Sequence, residues 1–172
     1  MNRPAFFPNR AVLDRESPLA DKLDDCAVVY AMFMTGLKVI QEISDLEKLE
    51  RLLLPDPGSK SLAYYQAAMT ETKDLARDVR ETTRLAIERG IKIRWVTEFP
   101  GFTFIIGNPK GRDAWAQIEI AIPVIHGSNH PSFEFRKPRQ EATVDDIIKA
   151  FNTIWESDSL SREPKNSELE DG

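Results

Sequence analysis

Residues 26–61 read CAVVYAMFMTGLKVIQEISDLEKLERLLLPDPGSKS, and their order of patterns decides the fold class. Residues 26–34 form a nearly continuous apolar run bounded by Asp24 and Asp25 before and Thr35 and Gly36 after. A run of that length without alternation suits a strand buried on both faces. Leu37, Val39, Ile40, Ile43, Leu46 and Leu49 then recur every three or four residues, the spacing of an amphipathic helix. "RLLLP" is a second short buried strand. It closes in "PDPGSKS", where Pro and Gly break structure and Ser59 or Ser61 serves as a helix N-cap. Strand, helix, strand implies parallel strands joined by a crossover.

Residues 62–89 follow as a helical stretch, with a break expected at Thr70 or Thr72 and Gly90 as the residue just past its end. "IKIRWVTEF" alternates as a strand with one exposed face. "GFTFIIG" and "AWAQIEIAIP" are two more strands, joined hairpin-fashion by "NPKGRD". "SFEFR" reads as a short edge strand. In "TVDDIIKAFNTIWESD", Thr143 serves as N-cap of a last helix burying Ile147, Ile148, Phe151, Ile154 and Trp155. The fold class is α/β, a mixed sheet with parallel N-terminal strands and antiparallel C-terminal additions, flanked by helices. We expect an N-terminal extension over 1–21, one domain over 22–158, and a disordered acidic tail over 159–172, whose polar composition offers little to bury.

Composition narrows the function classes. The 172 residues carry 23 Lys and Arg against 28 Asp and Glu, a net charge of −5, which argues against nucleic acid as a partner because phosphate contacts need surplus cations. The single cysteine, Cys26, excludes an internal disulfide framework and fits a reducing compartment. No apolar run reaches the roughly 20 residues of a membrane span, and the N-terminus lacks a secretory apolar core, so the cytoplasm is the expected location. No cofactor motif and no metal-ligand spacing is present. The pairs Asp24–Asp25 and Asp145–Asp146 read as solvated strand and helix ends.

In open α/β sheets, ligands bind beyond the carboxyl ends of the parallel strands. That rule singles out Thr35 and Gly36 after the first strand, and Ser59 and Lys60 after the second, where hydroxyls and an ammonium at a helix start would hold an anion. Arg51, Arg94 and Arg136 sit in or beside strands, so they could converge on the same anion. Trp95 and Trp155 are expected in packing. The stretch "VIHGSNHPSFEF", residues 124–135, holds both histidines of the chain, His126 and His130, around Gly127, Ser128 and Asn129. Ser128 beside two imidazoles has the elements of a nucleophile and its base, with Glu134 as the orienting acid, but no strand–turn–helix elbow surrounds it.

The succession "AVVYAMFMTGL", "LERLLLPDPGSKSL", "GIKIRWVTEFPGFTFIIGNP" and "FNTIWESDS" resembles the phospholipase D-like superfamily over roughly residues 22–158, in its degenerate branch of regulatory or sensing domains. Catalytic members carry His-x-Lys followed by Asp, the histidine attacking phosphorus and the lysine holding phosphate oxygens. Here His126 is followed two places on by Ser128, and His130 by Ser132, so that pair is missing. The resemblance implies a non-catalytic ligand-binding, sensing or regulatory module for a small anionic ligand. Thr35, Gly36, Ser59, Lys60, Arg94, His126 and Ser128 are its contacts. Two halves pack across the site in that fold, so a homodimer or another protein partner is implied. The competing readings are an atypical phosphodiesterase using His126 or His130, and a protein-interaction subunit of a larger complex. The sequence leaves enzyme status undecided, leaning against it.

Overall fold

The computed structural model describes residues 3–42, 46–69, 74–125 and 127–169. One mixed sheet organises them. Its strands are β1 (Ala5–Phe7), β2 (Val29–Met32), β3 (Leu49–Pro55), β4 (Lys92–Val96), β5 (Phe102–Gly107), β6 (Trp115–Ile120), β7 (Ser132–Arg136) and β8 (Ser161–Arg162), in spatial order β1-β7-β6-β5-β2-β3-β4-β8. β2, β3 and β4 are parallel and every other pairing is antiparallel, which is the mixed α/β architecture read from the sequence. All four residues of β2 are buried, as a strand packed on both faces requires.

The helices are α1 (Arg10–Glu16), α2 (Leu19–Asp24), α3 (Leu37–Glu42), α4 (Lys60–Ala68), α5 (Leu75–Glu88) and α6 (Glu141–Glu156). Strand alternation divides the core in two. On one face Val29, Ala31, Leu52, Leu54, Trp95, Ile105 and Trp115 pack under Leu23, Ile40, Leu62, Leu75, Val79 and Ala86 of α2 to α5. On the other face Tyr30, Met32, Leu53, Phe104, Ile106 and Ala116 lie under Ile147 and Phe151 of α6. Trp95 is fully enclosed and its indole Nε1 donates to Thr83 Oγ1 at 2.9 Å, so it is a packing residue. Gly107 is obligatory at the crowded end of β5. A Cβ there would lie 2.2 Å from Trp115 Nε1 and 2.7 Å from Cys26 Sγ.

Several boundaries move. The helix read through Leu49 is described as α3 up to Glu42, and after a 3-10 turn over Leu46–Lys48 Leu49 opens β3 instead, because its side chain fits the sheet core. The break expected at Thr70 or Thr72 lies outside the described residues; α4 ends at Ala68 and α5 begins at Leu75, capped by Asp74. Ser59 caps α4 and Gly90 takes φ 74° after α5, as their residue types require. α6 starts at Glu141, ahead of Thr143, with Gln140 at the cap position.

Both chain ends enter the sheet. β1 pairs with β7, so "SFEFR" is an interior strand rather than an edge. Three residues between prolines are too few to show alternation, which is why β1 is invisible in the sequence. The polar tail is described through Leu169. β8 pairs with β4, and the Arg162 guanidinium lies 5.0 Å from the Trp95 ring centre, donating to Asp56 at 2.8 Å and to both Glu168 oxygens at 2.8 and 2.9 Å. Polar composition here builds ion pairs.

Candidate functional site

Thr35 and Gly36 follow β2 at the carboxyl edge of the parallel strands, where Gly36 takes φ 67°. They line a cavity of about 210 Å³ with Arg10, Asp14, Thr103 and Glu119. Ser59, Lys60, Arg94 and Ser128 do not line it. The second loop is occupied by the chain itself. Ser59 Oγ accepts from Leu62 N at 3.2 Å, and the Glu98 carboxylate accepts from Ser61 N at 3.0 Å. An incoming anion would have to displace Glu98 from the helix start. Lys60 is exposed beside it.

The arginines do not converge. Arg94 projects from β4 and donates to Ser161 Oγ at 2.9 Å, to Ser161 O at 2.6 Å and to Asp158 at 2.7 Å, tying down the tail. Arg51 lies 4.8 Å from the Tyr30 ring centre and 5.4 Å from that of Trp155, under α6. Arg136 belongs to the opposite face of the sheet, where its Nε donates to Glu134 at 2.5 Å. The anion expected among the three has no common site: strand alternation puts Arg136 on the other face, and Arg51 and Arg94, which share a face, are held by different partners.

His126 lies outside the described residues. Ser128 is exposed on a 3-10 turn over Gly127–Asn129, while His130 is buried. His130 Nε2 lies 3.3 Å from Ile122 O and 3.2 Å from Ile125 O, and its Nδ1 lies 3.5 Å from Glu119 Oε1. Glu134, the acid proposed to orient a histidine, is instead engaged by Ser17, Lys22 and Arg136. The acid that faces His130 is Glu119, which also pairs with Arg10 of α1.

These contacts belong to a polar layer that the sequence reading missed. Gln117 and Glu119 on β6 stand opposite Glu134 and Ser132 on β7, all pointing to one face. α1 and α2 cover that face, so four polar side chains in alternating strands become buried ones. Lys22 Nζ donates to Gln117 Oε1 at 2.7 Å and to Glu134 Oε2 at 3.0 Å, and Ser17 Oγ donates to Glu134 at 2.7 Å. Burial pushes the Glu134 carboxyl up, but the Ser17 hydroxyl, the Lys22 ammonium and Arg136 override it and hold it below the usual carboxylate range. Burial lowers the Lys22 ammonium, and Glu134 offsets this only in part. The signal available in the sequence was polar alternation in "AQIEI" and "SFEF" on the same face. What would cover it was not.

α5 has a second polar surface. Leu75, Val79, Thr82, Thr83 and Ala86 face the sheet, leaving Arg77, Arg80 and Arg84 along the outward side. The side chains of Arg77 and Arg84 are 70% and 48% exposed; Arg84 pairs with Glu81. At 1.5 Å per residue the three span about 10 Å of helix. Among the described residues no group of His, Cys, Asp and Glu is placed to hold a metal, and no helix is long and apolar enough to cross a membrane.

No family model and no curated protein matches this chain. Its structure is similar to that of TrmBL2, an archaeal chromatin protein described as showing a novel mode of DNA binding. The TM-score is 0.52 at 11% identity, over 94% of this chain and 54% of that one, so this chain spans about half the length of TrmBL2. These findings overturn the likeness to the phospholipase D-like superfamily. With it goes the phospholipase D-like sensing or regulatory module. That likeness rested on the order of strands and helices, which unrelated functions share. The expectation against nucleic acid also falls, since the matched fold is that of a DNA-binding protein. Net charge sums the whole chain and is blind to where cations gather.

Proposed function

We propose that this chain is a domain of a DNA-binding protein and touches duplex DNA through a small number of phosphates on the outward face of α5. The observation that carries this reading is the fold shared with TrmBL2 across 94% of the chain. Exposed Arg77 and Arg84, with half-buried Arg80 between them, support it, being cations along the outward side of one helix. Duplex DNA presents one phosphate charge per about 1.7 Å of axis, so a 10 Å stripe of guanidinium groups spans several. Arginine suits the task because its fork of donors matches phosphate oxygens. The surrounding Asp78, Glu81 and Glu88 and the overall charge of −5 keep the contact weak and free of base reading. A cytoplasmic setting, where DNA is accessible, is part of the same proposal.

Fluorescence anisotropy with a labelled duplex of mixed sequence tests it. The expected Kd lies between about 10⁻⁶ and 10⁻⁴ M, insensitive to sequence, with log K falling against log salt at a slope of about −2.7 for three phosphates. Absence of binding at low salt, or binding without salt dependence, would reject the proposal.

A further inference from the structure

The helices on one face of the sheet come from separate stretches of chain. α1 and α2 lie over the polar layer of β6 and β7, and α3 follows β2 onto the same core. Between them, floored by Thr103 of β5 and Gln117 and Glu119 of β6, runs the cavity of about 210 Å³ that Thr35 and Gly36 border. It lies where the strand order reverses, since β2 has parallel β3 on one side and antiparallel β5 on the other. The carboxyl edge at such a point is where open α/β sheets hold ligands. DNA contact by α5 makes no use of it.

The cavity carries polar groups that the chain itself does not match. Gln117 is buried to 7% exposure, and its Oε1 accepts from Lys22 Nζ at 2.7 Å. An ammonium only donates, so the amide orientation is fixed and Nε2 turns away from Lys22. Among the described residues no acceptor meets that Nε2, and a buried donor without a partner is costly. Arg10 pairs with Glu119 through Nη2, and its other donors meet no acceptor among the described residues. Asp14 is exposed and has neither an ion pair nor a side-chain hydrogen bond among them. Leu13, Phe33 and Leu37 add an apolar lining.

These groups specify a ligand by its chemistry. Gln117 Nε2 and Arg10 call for an oxyanion, Asp14 for a cation, and the lining for a hydrocarbon body. A simple anion is repelled by Asp14 and Glu119, and an alkylamine leaves Gln117 Nε2 without an acceptor. Water suits the polar end but gains nothing from the apolar lining. We propose that the cavity binds a free α-amino acid with an apolar side chain. Its carboxylate accepts from Arg10 and Gln117 Nε2, its ammonium donates to Asp14, and its side chain packs on Leu13, Phe33 and Leu37. Glu119 is a positioning residue that holds Arg10. A volume of 210 Å³, about seven waters, admits a molecule of that size.

Isothermal titration calorimetry of the full chain with L-leucine, L-methionine and L-phenylalanine tests the proposal, with amide NMR shifts to locate the site. The tightest of these should bind about tenfold more strongly than glycine, than its own amide, which lacks the carboxylate, and than its deamino acid, which lacks the ammonium. Shifts should gather at Thr35, Gly36 and Thr103. Asp14→Asn changes an exposed side chain, and should weaken the amino acid about tenfold while leaving the deamino acid unaffected. No binding by any of the three would overturn the proposal. So would equal affinity for the deamino acid, shifts centred elsewhere, or undiminished binding in Asp14→Asn.

Discussion

Removing either member of the Lys22–Glu134 pair should destabilise the fold, and by unequal amounts. Both side chains are 5% exposed, so water cannot replace a lost partner. Glu134→Gln leaves the Lys22 ammonium buried with only neutral acceptors, Gln117 Oε1 and the new amide, and an uncompensated buried charge costs about 3–5 kcal/mol. Lys22→Met leaves the carboxylate with donors from Ser17 Oγ at 2.7 Å and Arg136 Nε at 2.5 Å, so the expected cost is about 1.5–3 kcal/mol. Guanidinium denaturation followed by circular dichroism reads both, and the larger loss corresponds to a melting temperature lower by about 10 °C. Acidification gives an independent reading. Glu134 is held below the ordinary 4.5, so its contribution is full above that pH and is lost as pH falls through the lower folded value. That part of the acid sensitivity should vanish in Glu134→Gln. Lys22 acts in the same sense in a higher window: its lowered pKa means stability is gained as pH rises from that value toward 10.5. The reasoning is refuted if Lys22→Met proves more damaging than Glu134→Gln, or if both lie within about 0.5 kcal/mol of the parent.

Two further outcomes follow from packing and from the tail. Gly107→Ala forces a methyl to within 2.2 Å of Trp115 Nε1 and 2.7 Å of Cys26 Sγ, and should cost about 1–3 kcal/mol by overpacking, read as a lower denaturation midpoint with unchanged slope. Arg162→Gln should detach residues 161–169, exposing them to limited proteolysis, while global stability drops by less than about 1 kcal/mol because the partners are partly exposed. Glu168, held at about 2 chiefly by the Arg162 hydrogen bonds, makes the same clasp fail in acid. The clasp's contribution is full above 4.5 and lost as pH falls through about 2, a transition that Arg162→Gln should abolish.

Local chemistry was legible in the sequence and long-range chemistry was not. The buried run of β2, the Ser59 cap, the Gly90 terminus and the hairpin between β5 and β6 each depend on residues within one or two turns of one another. So does the stripe of Ile147 and Phe151 that seats α6. β1 and β8 escaped notice because they are three and two residues long and gain their bonds from strands far along the chain. The polar layer joins Arg10 to Glu119 and Lys22 to Glu134, contacts across more than one hundred residues. Nothing local marks Glu119 as the partner of His130. The site reading failed for a related reason. Sequence proximity grouped Ser128, His130 and Glu134, but the folded chain turns His130 toward Glu119 and gives Glu134 to Lys22.

The central claim, that this fold contacts DNA phosphates through α5, is tested most directly by the salt dependence of DNA binding in Arg77→Gln/Arg80→Gln/Arg84→Gln. A triple variant of equal net charge, Lys110→Gln/Arg112→Gln/Lys149→Gln, serves as control. The account expects the parent and the control to share a slope of about −2.7 in log K against log salt, and the α5 variant to lose binding and slope together. Equal affinity and slope in the α5 variant and the parent would contradict it.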